Sequence, residues 1–213
     1  IRPKREKLTI GFVGWGKLTP YQSLRSIVKE LPYRLLGLID SRFRAKKKGT
    51  FFRAQSMRIL QKSPFITCNF IVRNSYSGHI HTASKSIEVL QKEFVENILN
   101  SDYALDIRGD ANASTRLFEI LSLGRIPIIV DTERNFPFSD KIDYSSFALI
   151  VDFRDIKKLP EKIVEFHKNI SPEHFEQMQR NARDVYVNYF RIDMLSHLIM
   201  DELRTKLLRI PRV

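Results

Sequence analysis

Two arginines, Arg108 and Arg116, flank a short polar run, Gly109-Asp110-Ala111-Asn112-Ala113-Ser114-Thr115, and Glu119 follows one helical turn after the second. A guanidinium presents its N–H donors in a planar fork that matches phosphate bidentately. Glycine and the small side chains of Asn112, Ser114 and Thr115 let backbone N–H groups approach an anion closely. A carboxylate beside a phosphate repels it, but one turn away Glu119 can accept hydrogen bonds from sugar hydroxyls. Residue types and spacing therefore describe a ligand with a diphosphate and a sugar ring. The competing reading is an Arg116–Glu119 pair on a helix surface, worth roughly 0.2–0.5 kcal/mol.

Those side chains need a strand, a loop and a helix to hold them. Tyr103 to Ile107 is β-branched, aromatic and aliphatic enough for a strand, and Arg108 to Ala113 has loop chemistry. Ser114 or Thr115 sits at the N-cap, Leu117, Ile120 and Leu121 have helical spacing, and Gly124 is placed to end the helix. Ile126-Pro127-Ile128-Ile129-Val130 is an apolar run suited to a strand buried on both faces of a parallel sheet. This is one βαβ unit. Arg116 falls in the first turn of its helix, where the macrodipole disfavours a cation, so the local field there suits an anion rather than the arginine itself.

Upstream, Leu8 to Trp15 has the character of a first strand, Gly14-Trp15-Gly16-Lys17-Leu18 of a turn, and Thr19-Pro20 of a helix start running to about Leu31. Glycines after the first strand of a parallel sheet are a common route for phosphate approach, although this spacing is neither the dinucleotide fingerprint nor a P-loop. Gly14, Gly16, Lys17 and Arg25 are the candidates for phosphate or acceptor contacts. Tyr33 to Ile39 is expected as a second strand. Arg42 to Gly49 forms a basic loop followed by Phe51 and Phe52, Gln55 to Lys62 a short helix, Phe65 to Val72 a strand and Ser84 to Asn100 a helix. His79 and His81 lie in a polar loop without a third ligand in sequence, so no metal site is expected. Downstream come a loop over Glu133 to Asp140, a strand over Phe147 to Val151, and helices over Leu159 to Ile170, Glu173 to Phe190 and Arg191 to Leu208. Phe175, Met178, Ala182, Val185 and Tyr189 share one stripe, which is core packing. The expectation is a three-layer, Rossmann-like α/β domain with a mainly parallel sheet of about five or six strands. Residues 1–7 form a basic lead-in, 8–190 the domain and 191–213 a C-terminal helix and tail.

The chain has 213 residues and a net charge of +12. Residues 1–60 hold 15 Lys and Arg against 3 Asp and Glu, and the remainder is balanced, so the surplus favours an anionic partner at that end. A nucleic-acid- or polyanion-binding α/β module using those 60 residues is the alternative to a nucleotide-dependent enzyme. No apolar run approaches the roughly 20 residues of a transmembrane helix. Residues 1–7 lack the apolar core of a signal peptide. A single cysteine, Cys68, excludes an internal disulfide and has no activating neighbours in sequence. A cytoplasmic setting, peripheral at a membrane surface at most, is the expectation. Asp106, Asp110 and Asp131 lie near the site in sequence, and nothing singles one out as a catalytic base.

Four stretches together resemble a known family: S-D-Y-A-L-D-I-R-G over Ser101 to Gly109, S-x-R-L-x-E-I-L-x-x-G-x-I-P-I-I over Ser114 to Ile129, F-P-F-S over Phe136 to Ser139, and I-D-Y-S-S-F over Ile142 to Phe147. They are similar to the donor-binding domain of exostosin-type (GT47) glycosyltransferases. The chain departs from that pattern where the family has a cysteine-containing strand, here Tyr103 to Ile107, and in lacking the other half of the enzyme. The resemblance implies the nucleotide-sugar-binding lobe of a GT-B fold, with a UDP-sugar donor (a GDP-sugar is the alternative, since fucosyltransferase-like enzymes share the motif) and a glycan acceptor. It implies that Arg108, Gly109, Asn112, Ser114, Thr115, Arg116 and Glu119 bind the donor nucleotide. It further implies inversion at the anomeric centre, no required metal or cofactor, and an acceptor-binding lobe outside this chain that supplies the base.

Overall fold

The computed structural model describes residues 1–16, 28, 31–33, 35–40, 49–73, 86–109 and 112–208. Short branched and aromatic runs form five strands, β1 (Leu8–Trp15), β2 (Ile66–Arg73), β3 (Tyr103–Ile107), β4 (Ile126–Asp131) and β5 (Leu149–Asp152). All pairs are parallel, in the order β2-β1-β3-β4-β5. Parallel neighbours need crossover connections that lay helices on the sheet faces. The helices are α1 (Gly49–Leu60), α2 (Ile87–Leu99), α3 (Thr115–Ser122), α4 (Leu159–Asn169), α5 (Pro172–Val185) and α6 (Ile192–Leu208).

Strand β3 is buried throughout, and β4 in all but Asp131. On one face Phe52, Met57 and Leu60 of α1 and Leu159 and Ile163 of α4 pack with Leu105, Ile107, Ile128 and Val130. On the other, Leu117 and Leu121 of α3 pack with Ile129, while Ile120 meets Ala104 and Ile98 of α2. Helix α5 places Phe175 and Met178 in the first cluster and Ala182 in the second. The result is a Rossmann-like three-layer α/β domain.

Some boundaries differ from the sequence expectation. Residues 31–33 and 35–39 are helical rather than a second strand, and Leu38 and Ile39 are 76% and 87% exposed. A short apolar run does not distinguish strand from helix, and its leucines are strong helix formers. Helix α1 starts at Gly49 instead of Gln55 and buries Phe52, whose ring packs edge-to-face with that of Phe51. The single helix expected over Glu173 to Phe190 divides into α5 and a π-helical turn, Tyr186–Phe190. Of the helix opened by Thr19-Pro20 only Val28 and Leu31 are described, both helical, and the basic run Arg42 to Lys48, His79 and His81 lie outside the described residues.

The amino-terminal residues bind the domain instead of leading loosely into it. The Arg2 amide donates to Gln179 Oε1 at 2.9 Å, Gln179 Nε2 returns a bond to the Arg2 carbonyl at 2.7 Å, and Lys4 Nζ donates to the Ile170 carbonyl at 2.6 Å. Buried Asp102 accepts from Arg2 Nε and, at 2.8 Å, from the Thr9 amide, and its own amide donates to the Thr9 carbonyl at 2.9 Å. His167 is 4% exposed, with Nε2 2.7 Å from the Arg5 carbonyl and Nδ1 2.8 Å from the Tyr103 hydroxyl. A carbonyl only accepts, so Nε2 carries the proton and Nδ1 accepts from the phenol. Burial pushes the Tyr103 phenol up, with Asp102 adding to the effect, so it remains a donor.

Burial holds the His167 pKa below its ordinary 6.5, with the Arg5 carbonyl opposing. The unfolded chain therefore takes up that proton first, and the stability tied to neutral His167 is present above about pH 6.5 and lost as pH falls below it. Thermal melts should show the midpoint falling from pH 7.5 to pH 5, with His167→Gln flattening the dependence. Tyr103→Phe leaves Nδ1 unpaired and should cost about 1–3 kcal/mol in denaturant unfolding.

Candidate functional site

The β1–β3 register covers Ile10–Tyr103 and Gly11–Ala104, near the start of β3, and both strands continue beyond it to their carboxyl ends at Trp15 and Ile107. From β1 the sheet grows outward through β2, and from β3 it grows the other way through β4. That reversal creates a crevice at the carboxyl ends, where ligands bind in open α/β sheets. The β3–α3 loop, with Arg108, Gly109, Asn112 and Ser114, opens onto it.

Helix α3 begins at Thr115, with Ser114 as an extended N-cap (φ −141°, ψ 120°) whose hydroxyl caps no amide. The first-turn N–H groups therefore carry no side-chain cap and suit an anion. Arg116, second in the helix, reaches across the crevice. Its guanidinium carbon lies 4.3 Å from the Phe12 ring centroid, and its Nη2 is 2.6 Å from where a Cβ on Gly14 would stand. Gly14 has φ +151°. Glycine at 14 thus makes room for the arginine. Arg116 Nε and Nη1 are buried and meet no hydrogen-bond partner among the described residues. Burial and the neighbouring Arg53 push this guanidinium down to about 10, against Asp106 and Glu119, so it remains charged at neutral pH. A half-buried cation with two buried, unused donors has the chemistry to meet an anion.

Arg108 is 9% exposed, with Nη1 3.4 Å from Asn112 Oδ1. Asn112 is a brace: its Nδ2 donates to the Thr132 and Glu133 carbonyls at 3.2 and 3.0 Å, and its Oδ1 accepts from the Thr132 hydroxyl at 2.7 Å. It ties the β3–α3 loop to the loop after β4. Gly109 is half-buried, and its amide donates to the Ala113 carbonyl at 3.3 Å. Glu119 is exposed and, with Ser122, lines a shallow cleft of about 240 Å³ rimmed by Phe118, Tyr186, Phe190 and Leu195. Its carboxyl is raised by local desolvation, with Arg116 opposing. Gly16 is buried against Met57, while Lys17 and Arg25 lie outside the described residues.

The nearby aspartates are engaged. Asp106, fully buried in β3, pairs with Arg134 Nη2 at 2.7 Å, and the Arg134 guanidinium also faces the Phe136 ring at 5.0 Å. Asp131 Oδ1 accepts the Arg134 amide at 3.1 Å. Asp110 lies outside the described residues. Three further arginines frame the site without having been singled out by sequence: Arg134, Arg53 of α1, and Arg73 at the end of β2, which pairs with Glu93 at 3.3 Å. Only the packing of α1, β2 and the loop after β4 against the other elements brings them here, and local sequence carries no trace of that. Cys68 is half-buried, and burial pushes its thiol up to about 11, which leaves it a poor nucleophile.

The exostosin GT47 domain model matches residues 38–166. An exostosin-1 homolog of Caenorhabditis elegans is 32% identical over 109 residues, 51% of this chain and 28% of the relative. A probable glycosyltransferase of Arabidopsis thaliana is 31% identical over 86 residues, 40% of this chain and 16% of the relative. The chain thus spans less than a third of either relative. Among the described residues no helix is long and apolar enough to cross a membrane.

Gly14→Ala puts a methyl where Arg116 Nη2 rests, on backbone at φ +151°, and should cost about 1–3 kcal/mol in denaturant unfolding. Arg134→Met leaves the Asp106 carboxylate buried and unpaired, and should cost about 3–5 kcal/mol in denaturant unfolding.

Proposed function

The chain belongs to the exostosin GT47 family, and from that premise we propose that it is the donor-nucleotide-binding lobe of a two-lobed GT-B glycosyltransferase. The enzyme moves a sugar from a nucleoside-diphosphate sugar to a glycan acceptor with inversion. One observation carries this reading: Arg116 is half-buried at an uncapped helix N-terminus, in the crevice where the strand order reverses, with its buried Nε and Nη1 taken up by no described residue.

The diphosphate lies between the N–H groups of the first turn of α3, near Ser114 and Thr115, and the forks of Arg108 and Arg116. Gly109 lets it approach the backbone. As the glycosidic bond to the donor breaks, negative charge grows on the departing diphosphate. Fixed guanidiniums in a half-buried crevice offset that charge without reorganising. The leaving group therefore draws its stabilisation from this chain's own cations, and the reading calls for no metal. Glu119 accepts hydrogen bonds from the ribose hydroxyls, one turn along the helix and clear of the phosphates. Asn112 acts through the loops it joins and not on the ligand.

The acceptor and the catalytic base come from a second lobe outside this chain. Asp106 and Asp131 support that assignment, because both are already committed to Arg134. The donor is read as a UDP-sugar, and a GDP-sugar is the other candidate.

Calorimetric titration with UDP, GDP, ADP and pyrophosphate tests the reading. One nucleoside diphosphate should bind selectively and lose about 1.5–3 kcal/mol of binding free energy in Arg116→Ala, the range for a charge-assisted hydrogen bond. Unchanged affinity in folded Arg116→Ala removes the phosphate assignment. Glu119→Gln should weaken nucleoside diphosphate relative to pyrophosphate, and equal weakening of both would remove the ribose role.

A further inference from the structure

The carboxyl ends of β1 and β3 are bridged by one side chain from the opposite face of the sheet. Arg53 of α1 donates from Nη1 to the Trp15 carbonyl at 3.3 Å, and from Nε and Nη2 to the Ile107 carbonyl at 3.4 and 3.3 Å. Trp15 and Ile107 are the last residues of their strands, well past the Gly11–Ala104 pair where the register ends. The fork therefore spans the mouth of the crevice. A second contact fixes the same helix to the same loop. A Cβ on Gly49, the first residue of α1, would stand 2.2 Å from the Gly109 carbonyl oxygen and 2.3 Å from that of Arg108.

We propose that Arg53 is a positioning residue that sets the width of the β1–β3 crevice for a diphosphate, holding the Gly14–Gly16 turn and the Arg108–Gly109 loop at a fixed separation. The proposal rests on the donor-site reading above and adds to it a residue that does not itself line the ribose or base. Trp15 adjoins Gly14, against which Arg116 rests, and Ile107 adjoins Arg108, so the fork controls the spacing of both phosphate-binding arginines. Its bonds are longer than the usual 2.9–3.0 Å. Such bonds often tighten only in the complex. An anion between Arg108 and Arg116 also relieves the like-charge repulsion between Arg116 and Arg53, which lets the fork close on both carbonyls. A lysine supplies the same charge but a single point donor, which cannot hold two strand ends in register.

The test compares Arg53→Lys and Arg53→Gln with wild type by calorimetric titration with pyrophosphate and with UDP, with folding checked by far-UV circular dichroism. Both variants should bind both ligands about tenfold or more weakly, as expected when reacting groups are displaced by a fraction of an ångström to 1 Å. Wild-type affinity in Arg53→Lys overturns the proposal, because charge alone would then suffice. Wild-type affinity in both overturns it as well. If neither variant folds, wild type decides: exchange of the Arg53 Nε–H, followed by nitrogen-15 NMR, should slow when pyrophosphate is added. An unchanged rate overturns the proposal, since a purely structural arginine gains nothing from the ligand. Wild-type protein that binds neither pyrophosphate nor UDP overturns the donor-site reading itself, and the positioning role with it.

Discussion

The parting of two neighbouring parallel strands is the constraint on which the rest of this structure depends. Strands β1 and β3 share a register at Ile10–Tyr103 and Gly11–Ala104, and their crossovers then leave in opposite directions across the sheet. A crevice follows from that topology whatever the side chains are. What the sequence adds is the lining: a glycine at 14 where an arginine must pass, a helix whose N-cap hydroxyl caps nothing, and cations brought in from α1, β2, α3 and the loop after β4.

Gathering that many guanidiniums opposes folding. Burial first, and then Arg53 and Arg73, lower the affinity of Arg116 for its proton, while Asp106 and Glu119 act against them. Asp106 is itself shared with Arg134, which carries the loop after β4 into the site, and Asn112 fastens that loop to the β3–α3 loop from the other side. The two loops at the crevice are thus built as one unit. On the function proposed above, an anion completes that charge balance, and its binding then stabilises the fold by mass action.

The central βαβ unit was legible in the sequence because its signals are local. Tyr103–Ile107 and Gly124 are where composition and capping chemistry put them, and Gly124 has the left-handed φ of +59° that ends a helix. Arg116 was legible because a cation in a first helical turn contradicts its own surroundings. Residues 31–39 were not, since a leucine-rich run is equally suited to either regular structure until its neighbours are known. Arg53, Arg73 and Arg134 were hidden for a related reason. Each acts on a residue far away in sequence, and only the assembled sheet brings them together. The bonds of Asn112 to Thr132 and Glu133 were not legible either, because an amide in a polar loop looks the same whatever it will hold.

The strap formed by residues 2–5 gives the crevice a mechanical character. At the amino edge of the sheet Asp102 is bonded to Thr9 in both directions and to Arg2, while His167 joins Arg5 to Tyr103 of β3. Strands β1 and β3 therefore behave as the prongs of a tuning fork welded at its base. Any displacement a ligand produces between them is concentrated at the tips, on a lever only a few residues long. So short a lever is stiff, which confines relative movement of Trp15 and Ile107 to the small closure open to the Arg53 fork.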